Sequence, residues 1–60
     1  MIMSVGELWN IARPINEYFK SHPSIYGLTR VDYKMSAYGD WYLYRDREGN
    51  YWVEYMSCGD

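Results

Sequence analysis

The chain has few of the residues that usually stabilise a very small protein. Its 60 residues include one cysteine, Cys58, and one histidine, His22. A single cysteine excludes an intramolecular disulfide, and one cysteine with one histidine is too few for a zinc site of the usual tetrahedral kind. We therefore expect no metal and no cofactor. Since a domain of this length buries only about 60% of the surface that its unfolded chain exposes, other residues must supply the stability.

The chain also lacks a large excess of charge of one sign and any long apolar run. Six Lys and Arg residues are mixed with eight Asp and Glu residues, which gives a formal net charge of −2. This balance provides no general attraction to nucleic acid or to anionic membranes, so neither is an expected partner. No apolar run has the length of a membrane span, and the first residues lack the pattern of a secretory signal. Together with the lone thiol, these features predict a cytoplasmic protein.

Aromatic residues are abundant. Three Trp, eight Tyr and one Phe make up 20% of the chain. Each large ring can bury roughly 150–250 Å², so these side chains are expected to provide most of the stability. Self-association is the alternative source.

The segment Asp40–Met56 predicts a β-hairpin around which the rest of the chain is organised. Its turn, Asp46-Arg47-Glu48-Gly49, has the Asp and Gly of a type I turn followed by a G1 bulge. That turn pairs Tyr44 with Trp52. Since side chains alternate across a strand, the pairing predicts two faces. The face assigned to the core carries Trp41, Leu43, Val53 and Tyr55. The face assigned to the surface carries Tyr42, Tyr44, Trp52 and Glu54.

An N-terminal helical segment is predicted over about residues 4–21. Ser4 and Glu7 have the spacing of a capping box, which satisfies two free backbone N–H groups. Apolar residues follow at helical spacing: Leu8, Ala12, Ile15 and Phe19. Pro14 removes the hydrogen bond to the Asn10 carbonyl, so the helix is expected to be kinked or broken there.

A third strand is predicted over about residues 28–35, where polarity alternates. Its apolar side consists of Val31, Tyr33 and Met35, and its charged side of Arg30, Asp32 and Lys34. Pairing Met35 with Trp41 places Tyr33 opposite Leu43, so the apolar side joins the predicted core.

The sequence thus predicts a single α+β domain over residues 1–60. The helical segment packs on a three-stranded antiparallel β-meander, with strands at about 28–35, 41–46 and 50–57.

The surface-assigned face of the sheet is the candidate binding site, because Tyr, Trp and Arg are enriched at binding hot spots. The aromatic anchors are Tyr42, Tyr44 and Trp52, and the polar rim consists of Arg30, Asp32, Lys34 and Glu54. Three alternatives remain open. The aromatic pairs could simply stabilise the sheet, the face could be buried in a homodimer, or it could stack on single-stranded nucleic acid. The balanced charge of the rim disfavours the last.

The sequence contains no catalytic motif, Gly-rich phosphate loop or metal-ligand spacing, so an enzyme is not expected. We interpret the chain as an interaction module whose partner is a larger protein. In size, mild acidity and aromatic content it is similar to small phage-encoded inhibitors of host proteins, anti-CRISPR proteins among them. This similarity involves no motif. It implies an inhibitor that blocks a surface of a host protein in the host cytoplasm.

Overall fold

The computed structural model describes residues 3–22 and 26–57. They form two helices, α1 (Val5–Ile11) and α2 (Ile15–Phe19), and four strands, β1 (Arg13–Pro14), β2 (Thr29–Met35), β3 (Gly39–Arg45) and β4 (Tyr51–Ser57). The strands make one mixed sheet in the order β1-β4-β3-β2. The predicted α+β class is confirmed. Cys58 lies outside the described residues, and within them no helix is long and apolar enough to cross a membrane.

Helix α1 begins with the predicted capping box. The Glu7 N–H donates to Ser4 Oγ (3.3 Å), and the Ser4 N–H donates to Glu7 Oε1 (3.0 Å). Hydrogen bonds from the Ser4 backbone and hydroxyl lower the pKa of the Glu7 carboxyl, because they stabilise its charged form. The helix ends at Ile11, and Ala12 is already extended.

The break near Pro14 produces a fourth strand. Arg13 and Pro14 pair in parallel with Trp52 and Val53 of β4. The sheet therefore has four strands and one parallel pair, where the sequence predicts three antiparallel strands. The physical reason is that a residue before proline avoids the helical region, and that proline is tolerated at a sheet edge.

The hairpin of β3 and β4 has the predicted register. Tyr44 pairs with Trp52, and the other predicted pairs along the two strands are found as well. In the turn, the Asp46 N–H donates to the Asn50 carbonyl (2.9 Å), and Gly49 has a φ of 90°. This positive φ is the left-handed conformation that a G1 bulge requires.

Strand β2 is shifted by one residue from the predicted register. Met35 pairs with Asp40 instead of Trp41. The shift arises because the turn closes early: the Ser36 N–H donates to the Gly39 carbonyl (2.9 Å), so Gly39 and Asp40 already belong to β3.

The shift changes which side chains share a face, because one residue of slip turns a strand over. Asp32 pairs with Leu43, and Tyr33 pairs with Tyr42. The predicted pairing of Tyr33 with Leu43 is therefore wrong. A bulge between Arg30 and Asp32 also interrupts the regular alternation of β2.

The two helices contact opposite faces of the sheet. On one face the Trp9 indole of α1 donates to the Asp32 carboxylate (2.7 Å), beside the fully buried Leu43. On the other face Tyr18 of α2 packs on Trp52, with ring centroids 5.4 Å apart. The chain passes from one face to the other where β1 runs along the sheet edge.

Because the chain passes to the other face of the sheet between α1 and α2, the predicted burial of the two faces is partly wrong. Leu43 is buried as predicted. Trp41 and Tyr55, predicted to lie in the core, are 40% and 43% exposed, whereas Trp52, predicted to lie on the surface, is 7% exposed. The predicted architecture has the helical segment packed on the core face of the sheet. In the structure α2 covers the other face, where it buries Trp52.

Replacement of Gly39 by alanine is expected to destabilise the protein by about 1–3 kcal/mol, the usual cost of overpacking. A Cβ there would lie 2.5 Å from the Met56 carbonyl oxygen and 2.7 Å from the Tyr55 hydroxyl. Gly6 in α1 is the matched control, since its nearest neighbour, Ser4 Oγ, would lie 3.9 Å away. Alanine at Gly6 should leave stability unchanged or raise it by up to roughly 0.5–1 kcal/mol. Urea unfolding measures both, and an unchanged midpoint for Gly39→Ala would contradict the close strand packing.

Candidate protein-binding surface

The three predicted aromatic anchors do not form one exposed surface. Tyr42 and Tyr44 are half-buried on the face that α2 contacts, with ring centroids 6.4 Å apart. Trp52 lies on the same face, but Tyr18 and the Arg13 guanidinium cover it, the latter 4.8 Å from the ring centroid. Trp52 is thus a core residue.

Two members of the predicted polar rim remain beside the tyrosines. The Arg30 guanidinium lies 5.8 Å from the Tyr42 ring centroid, and the Tyr44 hydroxyl donates to Glu54 (3.3 Å). Burial, together with the charge and hydrogen bond of Glu54, raises the pKa of Tyr44. These contacts make the four side chains a connected group on one face of the sheet.

Asp32 and Lys34, the other two predicted rim residues, lie on the opposite face. The Trp9 indole donates to Asp32 Oδ2, and Lys34 Nζ lies 4.6 Å from the Trp9 ring centroid. The hydrogen bond from Trp9, a backbone hydrogen bond from Tyr33 and the charge of Lys34 lower the pKa of Asp32. The one-residue shift of β2 is why these side chains hold α1 instead of flanking Tyr42.

Asp46 links the hairpin turn to the core. Its Oδ2 accepts the Trp52 indole N–H (3.0 Å), and its Oδ1 accepts the backbone N–H groups of Glu48 and Asn50 (2.9 Å each). Burial alone raises the pKa of Asp46, but these hydrogen bonds stabilise the ionised form more strongly and leave the pKa below its ordinary value. The sequence identifies Asp46 as a turn residue and does not reveal its contact with Trp52.

Exposed aromatic and methionine side chains collect at the end of the sheet that carries the β2–β3 turn. Met35 and Met56 lie on one face, on either side of β3. Trp41 and Tyr55 pair on the other face, with ring centroids 4.5 Å apart. Tyr38 belongs to the turn between β2 and β3. We call these five side chains the tip cluster: Met35, Tyr38, Trp41, Tyr55 and Met56.

The turn that carries Tyr38 has a well-fixed backbone. Ser36 Oγ accepts the N–H groups of Tyr38 (3.3 Å) and Gly39 (3.1 Å) and donates to the Gly39 carbonyl (2.7 Å). The Tyr55 hydroxyl donates to the Tyr38 carbonyl (2.8 Å). The Tyr38 residue is nevertheless 81% exposed. A large ring on a fixed backbone loses little conformational entropy when it binds.

The sequence does not predict the tip cluster, because positions 36–40 have the composition of a turn and Met35 has the spacing of an inward-facing residue. One feature of the sequence, the tyrosine at position 38, does indicate an exposed aromatic side chain. A tyrosine within a tight turn between two strands, as at Tyr38, has no core to enter and must be exposed.

A groove of about 340 Å³ lies beside β4 and adjoins the tip cluster. It is lined by Pro14, Ile15, Asn16, Phe19, Trp41, Val53, Glu54 and Tyr55. Most of these side chains are apolar, and Asn16 and Glu54 are the polar members. The groove therefore suits an apolar side chain with a polar or basic neighbour.

A second cavity, of about 370 Å³, lies near the hairpin turn. His22 stacks on Tyr18 in its wall, with ring centroids 4.3 Å apart, and the Arg47 guanidinium lies 5.2 Å from the Tyr26 ring centroid. Asp46 also lines it, but its carboxylate is committed to the turn and to Trp52. Within residues 3–22 and 26–57, no group of three or more His, Cys, Asp or Glu is placed to hold a metal ion.

Comparison with protein-family models, with curated proteins and with solved structures finds no match for this chain.

Proposed function

We propose that the protein is a small non-enzymatic interaction module that uses the tip cluster to bind, and thereby block, a surface of a larger protein. The observation that carries this proposal is the presentation of Tyr38. Its turn is held by Ser36 and Tyr55, yet the residue itself is 81% exposed. Such an arrangement stabilises the fold little and is well suited to contact another molecule.

The composition of the tip cluster supports a protein as the partner. Exposed apolar side chains that lie near one another mark interaction sites, and the tip cluster presents such side chains on both faces at one end of the sheet. Tyr and Trp give large rigid contact areas, and Met adapts its shape to the partner. Met35 is 75% exposed and Met56 54% exposed, so both are accessible.

The proposal extends to an inhibitor of the kind that phages and mobile elements encode, acting in the host cytoplasm. Occupying a surface inhibits a protein without any chemical step, so this mode of action requires no catalytic residues. The small size, the aromatic content and the single cysteine of the chain support this interpretation.

Two other uses of the exposed aromatic residues give different results in solution. A homodimer through the tip cluster predicts stability that rises with protein concentration. Stacking of Tyr42 and Tyr44 on single-stranded nucleic acid predicts affinity that falls steeply with salt. A module for a different protein partner predicts neither property for the isolated chain.

The double variant Met35→Ser, Tyr38→Ser tests the proposed function, with Tyr26→Ser as the matched control. Tyr26 is 76% exposed, close to the value for Tyr38, but lies outside the tip cluster. Both variants should fold, with stability changed by less than about 1 kcal/mol. Affinity capture from lysate of the source cells should recover a partner with the wild type and the control and lose it with the double variant.

Light scattering on the same proteins identifies self-association. A partner captured equally by all three proteins would contradict the role of the tip cluster. A wild-type dimer that the double variant converts to a monomer would replace the proposed function with self-association.

A further inference from the structure

We propose that the partner contributes an extended segment that adds as a strand to the free edge of β4, with an apolar side chain in the groove and a basic side chain near Glu54. This inference rests on the proposed function and specifies the chemistry of the partner.

Strand β4 is longer than the strand that covers its outer edge. Strand β4 has seven residues, and β1 pairs with two of them, Trp52 and Val53. The part of β4 that follows these two residues has β3 on one side and no strand on the other among the described residues.

In this uncovered part of β4, the backbone N–H and C=O groups of Tyr55 point outward from the sheet edge. The Asp46 N–H donates to the Asn50 carbonyl, so this first pair of the ladder is hydrogen-bonded. Bonded and non-bonded pairs alternate along an antiparallel ladder, which makes Trp41 and Tyr55 a non-bonded pair. The Tyr55 N–H and C=O are therefore directed away from β3, on the side where β1 pairs with Trp52 and Val53 and does not extend to Tyr55.

The other edges of the sheet carry features that prevent strand addition. The bulge between Arg30 and Asp32 interrupts β2, and Pro14 lies in β1. Bulges, charges and prolines are common devices that block edges. The stretch from Tyr55 to Ser57 carries none of them, which makes it the place where an extended chain can pair.

The groove lies beside this edge, since Tyr55 and Val53 line it. Side chains of an added strand alternate between the two faces of the sheet, so one of them would enter the groove next to Phe19 and Trp41. An apolar side chain fits that lining. Backbone hydrogen bonds would supply affinity, and the groove would supply specificity.

Charge complementarity favours a basic partner over a second copy of this chain. Four of the six Lys and Arg side chains lie over aromatic rings: Arg13, Arg30, Lys34 and Arg47. Glu54, in contrast, has one described interaction, with the neutral Tyr44 hydroxyl. It is thus available for a Lys or Arg of the partner, whereas a second copy that paired along Tyr55–Ser57 would bring no basic residue to it from that stretch.

A backbone-modified protein tests the inference, since a chain of 60 residues is accessible to chemical synthesis. N-methylation of the Tyr55 amide removes the outward donor and leaves every side chain unchanged. The control is N-methylation of Val5, the first residue of α1, whose N–H has no acceptor within the helix. Equal urea midpoints for the three proteins establish that the modifications leave the fold intact.

The probes are linear peptides selected on the wild-type protein from a random displayed library and then synthesised with a fluorophore. We expect the selected sequences to alternate apolar residues and to contain a Lys or Arg. Fluorescence anisotropy should show binding weakened at least tenfold by the methyl group on Tyr55 and unchanged by the one on Val5.

The other possible results distinguish failure of strand addition from failure of the proposed function. Peptides whose binding is lost in the Met35→Ser, Tyr38→Ser variant but is unchanged by methylation of Tyr55 would retain the proposed function and overturn strand addition. A selection without any binding peptide would also overturn strand addition. A wild-type dimer that methylation dissociates would make a second copy the occupant, and peptides without a basic residue would overturn the role of Glu54.

Discussion

Replacing Trp52 by alanine is expected to remove a large part of the free energy of unfolding of the protein. The ring is 7% exposed, packs against Tyr18 and donates its indole N–H to Asp46. Removing a buried Trp typically costs about 3–5 kcal/mol. A protein of this length has a total stability of about 3–9 kcal/mol, so the loss is at least about a third of it.

Trp41→Ala is the matched control for this prediction, because it removes the same side chain from the neighbouring strand. Trp41 is 40% exposed, and its described ring contact is with Tyr55. Loss of one aromatic pair at a partly exposed site should cost about 0.5–1.5 kcal/mol. Urea unfolding followed by tyrosine fluorescence compares the two. Equal destabilisation, or a larger effect at Trp41, would contradict the placement of α2 over Trp52.

Asp46→Ala is the second substitution with a large expected effect, a loss of about 2–4 kcal/mol. It leaves the buried Trp52 indole N–H without an acceptor and removes the side-chain hydrogen bonds that hold Glu48 and Asn50 in the turn. Asp40→Ala, in the same sheet but without a described side-chain hydrogen bond, should change stability by less than about 0.5 kcal/mol. Thermal unfolding of both variants measures the difference, and a change of similar size in the two would contradict a special role for Asp46.

Lowering the pH should reduce the stability that the ionised Asp46 carboxylate contributes. The folded pKa of Asp46 is lower than that of the unfolded chain, so its ionised form contributes stability that is fully present above the unfolded pKa, about 3.9. That stability is lost as the pH falls through the folded pKa. Asp46→Asn should reduce the loss of stability below that pH, while Glu7 and Asp32, whose pKa values are also lowered, keep part of it. An unchanged pH profile in the Asn variant would contradict this assignment.

Local sequence predicts the parts of the fold that depend on adjacent residues. The capping box at Ser4 and Glu7 and the hairpin register set by Gly49 need no information from distant parts of the chain. The predicted register of β2 is wrong for a local reason as well, since the Ser36 side chain closes the turn between β2 and β3 one residue early.

The burial of the two faces depends on a nonlocal event that the sequence does not show. Pro14 predicts that the helix breaks, but the route of the chain across the sheet edge depends on pairing with β4. That route places α2 over Trp52 and leaves the end of the sheet beyond it uncovered. The candidate surface therefore moves from the predicted sheet face to the tip cluster, and the aromatic character of the site is retained with different residues.

The most direct test of the proposed function is site-specific photo-crosslinking from position 38, with position 26 as the control. A p-benzoylphenylalanine replaces Tyr38 or Tyr26, which are comparably exposed, and the protein is irradiated in lysate of the source cells. A discrete product with one larger protein from position 38, absent from position 26, is the predicted result. Equal products from both positions, or a product from position 26 alone, would contradict a binding surface at the tip cluster.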